Sequence, residues 1–593
     1  MVELTTKWGK AIDKDDVLQE YPRPQMVRES YMNLNGEWEY AISNQKDIQD
    51  YHGKILVPFS PEARLSGVNH ILQPDEYLHY QLEFEIPNAF IEDRVLLHFG
   101  AVDQECAVFV NGEKVGIHKG GYLPFSFDIT SLISPGRVNI LAVRVIDQTE
   151  YAPHARGKQK LHKKGAMDAI FYTPSSGIWK SVWLESVPET YIQNIQLTPH
   201  FDTSSVGVYL ETNQAPKEAL VQIYSEDSLV KEVTIQTDKD RDISLEGFKS
   251  WHPDNPHLYD VKIQYGEDTV STYFGMRKFS KEKDKNGIYR FYLNNQPYYF
   301  NGLLDQGYWP ESLLTAPSDE ALIYDILKTK ELGFNTIRKH VKIESERFYY
   351  HCDKLGMIVL QDMPNGGDDI LKPFVMYLPN ISDRLSRNIG DQHYKLFGRT
   401  NAAGREQYTK DLKAMVKTLY NYPSIAMWIP FNEGWGQFDA NKATKTVRTI
   451  DSTRLIAETS GWFDQGDGDV YSIHNYMKKL KVRPKDDRVV ALTEFGGYAL
   501  PIENHVPAEK EFGYQSYASF ETLEENYRKL WEEQILPQIA SGLSATIYTQ
   551  TTDIEEEING LITYDREVLK MDKKLIQSLN RALYHVFESI TDN

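Results

Sequence analysis

The chain has 593 residues, room for roughly four domains of about 150 residues, or three if one is a large barrel. Its content of 41% apolar and 25% charged residues is that of a folded globular protein. Acidic residues outnumber Lys and Arg by 85 to 65, a net charge of -20, which argues against nucleic acid and anionic membrane surfaces as partners.

No apolar run approaches the ~20 residues of a membrane span. The opening MVELTTKWGK has no apolar stretch after a basic start, so no secretory leader is visible and a cytoplasmic location is expected. Cys106 and Cys352 stand far apart, which excludes a disulfide framework and suits buried thiols in a reducing compartment.

Residues 1–185 read as short strands separated by turns, the texture of a jelly-roll-like β-sandwich. Asn111-Gly112, between Val108-Phe109-Val110 and Lys114-Val115, predicts a two-residue hairpin with positive φ angles. Residues 186–280 continue in strands (SVGVYLET, ALVQIYSE, KEVTIQT, YDVKIQYG), and about 90 residues with some seven strands match an immunoglobulin-like sandwich. Pro253 and Pro256 predict a loop before its penultimate strand.

From 281 to 593 apolar strand runs alternate with amphipathic helices such as DEALIYDILKTKELG and REQYTKDLKAMVKTLYN. Eight runs are found, at 298–304, 335–340, 357–362, 425–432, 454–460, 469–476, 489–496 and 544–550. That is the count of a (β/α)8 TIM barrel; a doubly wound sheet would want a Gly-rich phosphate turn, and none is present.

Barrels of this kind carry their chemistry at the C-terminal strand ends. Those ends are Asp305, Arg338 with His340, Asp362, Asn432 with Glu433, Glu458, His474 with Tyr476, Glu494, and Tyr548 with Gln550. Such groups do not bury without partners, so they pair with one another or meet a polar substrate. Glu433 and Glu494 end strands 4 and 7, which face each other across the mouth. Two carboxylates over a cleft are what glycosidic cleavage requires; the alternative is that each is paired with a neighbouring Arg or Lys.

Asn432-Glu433 and Glu494, together with LVPFSPEARLSGV (56–68), VNGEKVGIHKGGYLPFSFDIT (110–130), SSGIWKSVWLE (175–185), WHPDNPHLYDV (251–261), GFNTIRKH and YYHCDKLGMIVLQDMP (349–364), resemble glycoside hydrolase family 2, which includes β-galactosidases, β-glucuronidases and β-mannosidases. The resemblance runs from about residue 24 to 565. It implies that Glu433 is the general acid/base and Glu494 the nucleophile of a retaining mechanism. It further implies that Asn432 binds the sugar 2-hydroxyl, that Tyr476 holds the nucleophile and that Arg338 keeps it ionised. His340, His474, Asp305 and Asp362 are hydroxyl-binding candidates, Trp435 a stacking wall, and Tyr548 a further substrate contact.

The resemblance calls for no cofactor, and without an obvious Glu-x-His magnesium pair no metal follows. The expected partner is a carbohydrate, with a homo-oligomer open. Family relatives place an acidic residue ahead of the Ser-Gly-Ile motif; here Phe171 takes the nearest position and Asp168 lies three residues away. Where β-glucuronidases carry Asn-x-Lys, EEEINGLITYDRE (555–567) has Glu557 and Asn559, and the acidic triplet Glu555-Glu556-Glu557 would repel a uronate. A neutral β-hexoside, galactoside first, is therefore expected. A β-mannosidase, a β-glucuronidase and a non-catalytic carbohydrate-binding relative are the alternatives, and transglycosylation shares the mechanism. The long segment 365–400 is expected to shape the pocket or a subunit contact.

Overall fold

The computed structural model describes residues 3–591 except 164–167, 215–216, 369–370, 372–373, 376–377, 382, 388 and 508–510. The first unit packs a six-stranded antiparallel sheet on a four-stranded one. Alternating strand residues such as Trp38, Tyr80, Leu97, Val108, Val143 and Leu184 fill the space between them. Strands Glu105–Val110 and Glu113–Lys119 are joined by Asn111 and Gly112 at φ 51° and 82°, the two left-handed positions of a type I′ turn.

The second unit sets a three-stranded sheet against a four-stranded one, seven strands around Val208, Val221, Ile223, Val261 and Ile263. A small hairpin at Trp251–His252 and Asn255–Pro256 precedes its penultimate strand, Tyr259–Tyr265.

The third unit is a nearly closed parallel barrel. Its strands are β1 (Phe300–Asp305), β2 (Thr336–Lys339), β3 (Ile358–Asp362), β4 (Ile425–Ile429), β5 (Leu455–Ile456), β6 (Val470–Asn475), β7 (Val489–Gly496) and β8 (Leu543–Thr549). They pair in the order 5-4-3-2-1-8-7-6, so the seam lies between β5 and β6. Helices Asp319–Glu331, Glu346–Leu355, Ala402–Thr418 and Ala440–Ile450 cross between β1 and β5. The first three open on Ser318, Ser345 and Asn401, whose side chains accept a first-turn N–H. Helical segments Phe520–Ile539 and Lys573–Thr591 follow β7 and β8, while the crossovers around β6 carry no helix among the described residues. Phe279 and Phe291, from a hairpin ahead of β1, join the cluster of interior residues Phe300, Leu360 and Ala491. Among the described residues no helix is long and apolar enough to cross a membrane.

The units are tied together by buried polar contacts. Arg28 donates to Glu185 of the first sandwich (2.9 Å) and, through Nε and Nη2, to Asp268 of the second (both 2.9 Å), with a further bond to Ile192 O. Glu185 also accepts from Tyr21, Arg23 and Trp183. Burial works against its charge, yet the Arg23, His98 and Arg28 charges and the Trp183 N–H hold its carboxyl well below the ordinary value of 4.5. Asn421, behind the barrel, bonds Ile195 O and Leu197 N of the second sandwich. Trp8, near the chain start, packs edge-on against Trp309 and Tyr324 of the barrel.

Replacing Arg28 by Met leaves buried Asp268 without its guanidinium and Glu185 with Arg23 as its remaining one, and should cost about 3–5 kcal/mol, read as a lowered urea midpoint. Because the Glu185 pKa is depressed, its contribution is present above pH 4.5 and is lost as the pH falls below it. The Arg28→Met deficit should therefore be largest at neutral pH; an equal deficit in strong acid would contradict this account.

Candidate active site

Inward and outward positions alternate along each barrel strand, and that alternation decides which strand-end groups meet. On β2 the Arg338 side chain turns inward and that of Lys339 outward, where its ammonium lies 4.0 Å from the Phe348 ring of the next helix. Arg338 is fully buried, and all five of its donors are used. Nε and Nη2 grip Asp362 on β3 (3.0 and 2.9 Å). Nη2 also reaches Asn432 Oδ1 (2.7 Å), and Nη1 donates to Glu494 Oε1 (3.0 Å) and Thr493 O (3.1 Å).

Glu494 receives a second short hydrogen bond, from Tyr476. Burial opposes its ionisation, but the facing His474, His340 and Arg338 groups and the Tyr476 hydroxyl lower its pKa to about 2. Burial and then Lys158 push the His340 pKa well below its ordinary value. Of the two histidines and the arginine, Arg338 is the permanent cation. Burial and the Glu494 charge raise the Tyr476 pKa well above 10, so its hydroxyl stays a donor.

Glu433 follows β4 in a left-handed conformation (φ 53°), followed by Gly434 at φ 75°. A non-glycine residue there costs of order 1–3 kcal/mol; its N–H is anchored on Ser460 O at 2.8 Å. The Glu433 carboxylate meets His474 Nδ1 at 2.8 Å, and His474 Nε2 meets Ser460 Oγ at 2.9 Å. Burial and the Glu494 charge raise the Glu433 pKa, against the pull of His474. An oxygen of Glu433, an oxygen of Glu494 and a His474 nitrogen all lie within 4.8 Å of one another. The site thus holds two carboxyls in contact range, one pushed toward the acid and one toward the anion.

These contacts reassign several groups. Asp362 accepts from Arg338 through both oxygens, and its Oδ2 also meets His340 (2.8 Å) and the Val341 N–H, so it anchors the arginine and the histidine. His474 spends both ring nitrogens on Glu433 and Ser460 and orients the acid instead of the sugar. His340 is bonded through Nδ1 only; its Nε2 is 4.0 Å from Glu494 Oε1, open to a hydroxyl. Asp305 pairs in register with Lys339, so it points outward and binds the Lys339 ammonium at 2.7 Å, away from the mouth. Tyr548 likewise lies on the outer face of β8, among Phe495, Tyr498 and Tyr527. Its neighbour Thr549 faces in and meets the Tyr476 hydroxyl at 3.3 Å. Trp435 is buried, with one ring face stacked on Phe171 at 5.2 Å, in an apolar cluster with Val375, Phe397 and Phe463. The described part of 365–400 supplies Val375 and Phe397 and so packs over the mouth. Glu458 lies apart, next to Gln465 and Arg488.

Other groups at the mouth were not anticipated. Tyr514, from the segment after β7, stacks flat on Tyr476 at 3.6 Å, and half-buried Trp462 lies 6.1 Å from His474. From the first sandwich, Tyr172 donates to Glu557 and Lys158 lies 4.0 Å from it, while Asp168 is spent on Lys160 (2.8 Å). A second group of metal-ligating type, His505, Asp565 and Glu567, is internally bonded: Asp565 accepts from His505 and Thr563. Arg338, Tyr476 and His474 occupy the Glu433–Glu494 oxygens in the same way.

Three domain models of the glycosyl hydrolases family 2 match the chain: the sugar binding domain over 67–188, the family 2 domain over 190–277 and the TIM barrel domain over 285–486. Among curated proteins, a β-galactosidase of Thermoanaerobacter pseudethanolicus is 24% identical over 500 residues, covering 80% of this chain and 62% of its own length. A β-glucuronidase of Paenibacillus borealis is 26% identical over 471 residues, covering 75% and 73%. The chain thus spans under two thirds of that galactosidase. Among solved structures, a β-glucuronidase from an uncultured Clostridium sp. superposes with a TM-score of 0.72 at 19% identity, covering 95% of this chain and 99% of that one. A family 2 β-galacturonidase from Eisenbergiella tayi gives a TM-score of 0.70 at 17% identity, covering 96% and 98%. Sandwich, immunoglobulin-like unit and barrel, with matches to all three domain models, make the chain a member of glycoside hydrolase family 2.

Proposed function

We propose that the protein is a retaining exo-β-glycosidase acting on terminal, neutral β-linked hexosides, β-D-galactosides first. The observation that carries this reading is the pair Glu433 and Glu494, whose oxygens approach within 4.8 Å while their environments drive their pKa values apart. That spacing suits the about 5–5.5 Å of retaining enzymes and leaves no room for the water of an inverting pair at about 6.5–9.5 Å.

In the first step an ionised Glu494 oxygen attacks the anomeric carbon as the glycosidic bond breaks, and Glu433 gives its proton to the departing oxygen. In the second, Glu433 takes a proton from water, which attacks the anomeric carbon and releases Glu494 as a carboxylate. Asn432 has its carbonyl oxygen fixed by Arg338, which leaves the amide to donate to the 2-hydroxyl. His474 holds the acid/base, and Tyr476 and Arg338 hold the nucleophile.

The neutral sugar is supported by charge. Asp362, Glu494 and Glu557 stand against Arg338 and Lys158, so the mouth is net negative before substrate arrives. Nearby Lys163 already serves both Glu555 and Glu556 at 2.6 Å. A uronate would add an anion to a mouth that is already net negative, where the nearest ammonium, Lys158, stands beside Glu557.

Glu494→Gln should lose at least about 10⁴-fold in kcat on nitrophenyl glycosides, the cost of deleting a covalent nucleophile, and a 2-fluoro glycoside should label Glu494. A variant as active as the wild type, with no label on Glu494, would sink the proposal, while a wild type without turnover on any nitrophenyl glycoside would favour a non-catalytic carbohydrate-binding protein. A panel of nitrophenyl glycosides names the sugar.

The pH dependence follows from the same pair. Glu433 must be protonated in the first step and its pKa is raised, so kcat/KM should fall as the pH rises through it. Glu494 must be ionised and is lowered to about 2, so no acid limb is expected near the ordinary glutamate value of 4.5. Glu433→Ala with a dinitrophenyl leaving group should lose the alkaline limb. Its persistence in that variant would assign the limb to another group.

A further inference from the structure

Lys158 belongs to the first sandwich yet ends at the barrel mouth. The segment that carries it crosses the ends of β2 and β3: the Arg156 and Gly157 N–H groups donate to Asn365 O at 2.7 and 2.9 Å. Gly157 (φ 60°) lies so close to the barrel that a Cβ there would stand 2.6 Å from Val341 O, so only glycine permits the approach. The Lys158 side chain is 8% exposed, and no described residue accepts a hydrogen bond from its ammonium. Among the described residues its one ion pair is Glu557 Oε2, at 4.0 Å, and the ammonium also lies 5.6 Å from the centre of the Tyr172 ring. The ammonium is near enough to both His340 and Glu433 to influence their protonation.

Glu557 comes from the loop after β8 and is 2% exposed. It is held by Tyr172 and by Asn559 Nδ2 (3.1 Å), and Asn559 is fixed in turn by Gln550 (2.8 Å). Each carboxylate oxygen accepts one of these bonds and keeps a further acceptor site, and Oε2 is the oxygen 4.0 Å from the Lys158 ammonium. A buried ammonium with three unused protons is costly. The 4.0 Å between the two groups is too long for a hydrogen bond. A hydroxyl oxygen about 2.8 Å from each fits between them, accepting from the ammonium and donating to the carboxylate.

We propose that Lys158 and Glu557 form a pair that reads one hydroxyl of the bound sugar, so that the N-terminal sandwich completes the selection of a neutral hexopyranoside by the barrel. This rests on the glycosidase reading and goes beyond it, because the two residues lie outside the reacting pair and come from two different domains. The pair satisfies a hydroxyl without changing the net charge. A uronate carboxylate would find the ammonium but face Glu557 beside it.

The test pairs the full-length wild type and Lys158→Met with matched nitrophenyl β-hexosides and β-hexuronides, and with monodeoxy versions of the preferred sugar. The wild type should favour the neutral member of each pair. Lys158→Met should lose about 10- to 100-fold in kcat/KM, the worth of one charge-assisted hydrogen bond. One monodeoxy substrate should show a similar loss with the wild type and little further loss with Lys158→Met, because both deletions remove the same bond. Equal additive losses for every deoxy position, or a variant within threefold of the wild type, would overturn the proposal. A wild type that prefers the uronide, with that preference abolished in Lys158→Met, would also overturn it and make Lys158 a carboxylate reader. The wild-type comparison stands even if the variant fails to fold. Absence of turnover and of Glu494 labelling across the panel would instead bring down the underlying glycosidase reading.

Discussion

The Arg338 guanidinium is the fixed point of the site. It has no exposure, and its five donors reach β3, Asn432 three residues beyond β4, and β7, tying this end of the barrel together. A lysine offers three donors and no planar fork, so it could not hold Asp362, Asn432 and Glu494 at once. Burying a guanidinium costs several kcal/mol of hydration, and here the cost is offset by two carboxylates and two oxygen acceptors in good geometry. The result is a cation that cannot titrate beside the group that must stay ionised.

The same cation makes the two glutamates unlike. Glu494 has Arg338 and Tyr476; Glu433 has His474, backbone anchoring and the Glu494 charge. Two carboxyls this close cannot both ionise cheaply, so whichever lacks the permanent cation keeps the proton. The left-handed backbone at Glu433 fits this picture, since a regular strand end would send its side chain elsewhere. Gly434 and the bond from the Glu433 N–H to Ser460 O hold the turn that aims it.

All eight barrel strands were legible as apolar runs because barrel strands are covered on both faces, by the interior and by the helices. In the second sandwich four of the seven strands were legible as short strand runs, and Tyr259–Tyr265 among them alternates buried and exposed positions along its whole length. Strand ends alone were a coarser guide. Asp305 and Tyr548 were included by position along the strand, but the side-chain alternation turns both outward, one to Lys339 and the other into an aromatic layer. Asp362 and His474 stand in the cluster expected of them, but strand position could not show that Asp362 is engaged by Arg338 and His340 and His474 by Glu433 and Ser460. Lys158 and Tyr172 left no trace: in HARGKQKLHKKG a lysine reads as one more solvated charge. Tyr514 is a loop aromatic among many. Glu557 was legible as an anion, but its cation comes from 399 positions earlier in the chain.

That separation bears on why three domains travel together. Glu433, Glu494, Arg338 and His474 all come from the barrel, so the proposed chemistry could in principle stand on that unit. The pocket wall could not: Lys158 and Tyr172 belong to the first sandwich, and Glu557 is held between them and Asn559. Selection by hydrogen bonds tolerates displacements of a few tenths of an ångström only, so the sandwich must be seated as firmly as a strand. The structure supplies that seating with backbone bonds from Arg156 and Gly157 to Asn365 and with Thr315 Oγ1 on Trp179 O at 2.6 Å. The Lys180 ammonium adds a bond to Glu344 O of the barrel, at 3.1 Å. These are buried bonds between domains, not surface ion pairs screened by salt. A rigid interface of this kind lets a catalytic barrel borrow a specificity wall from its neighbour without losing the geometry its own strands impose.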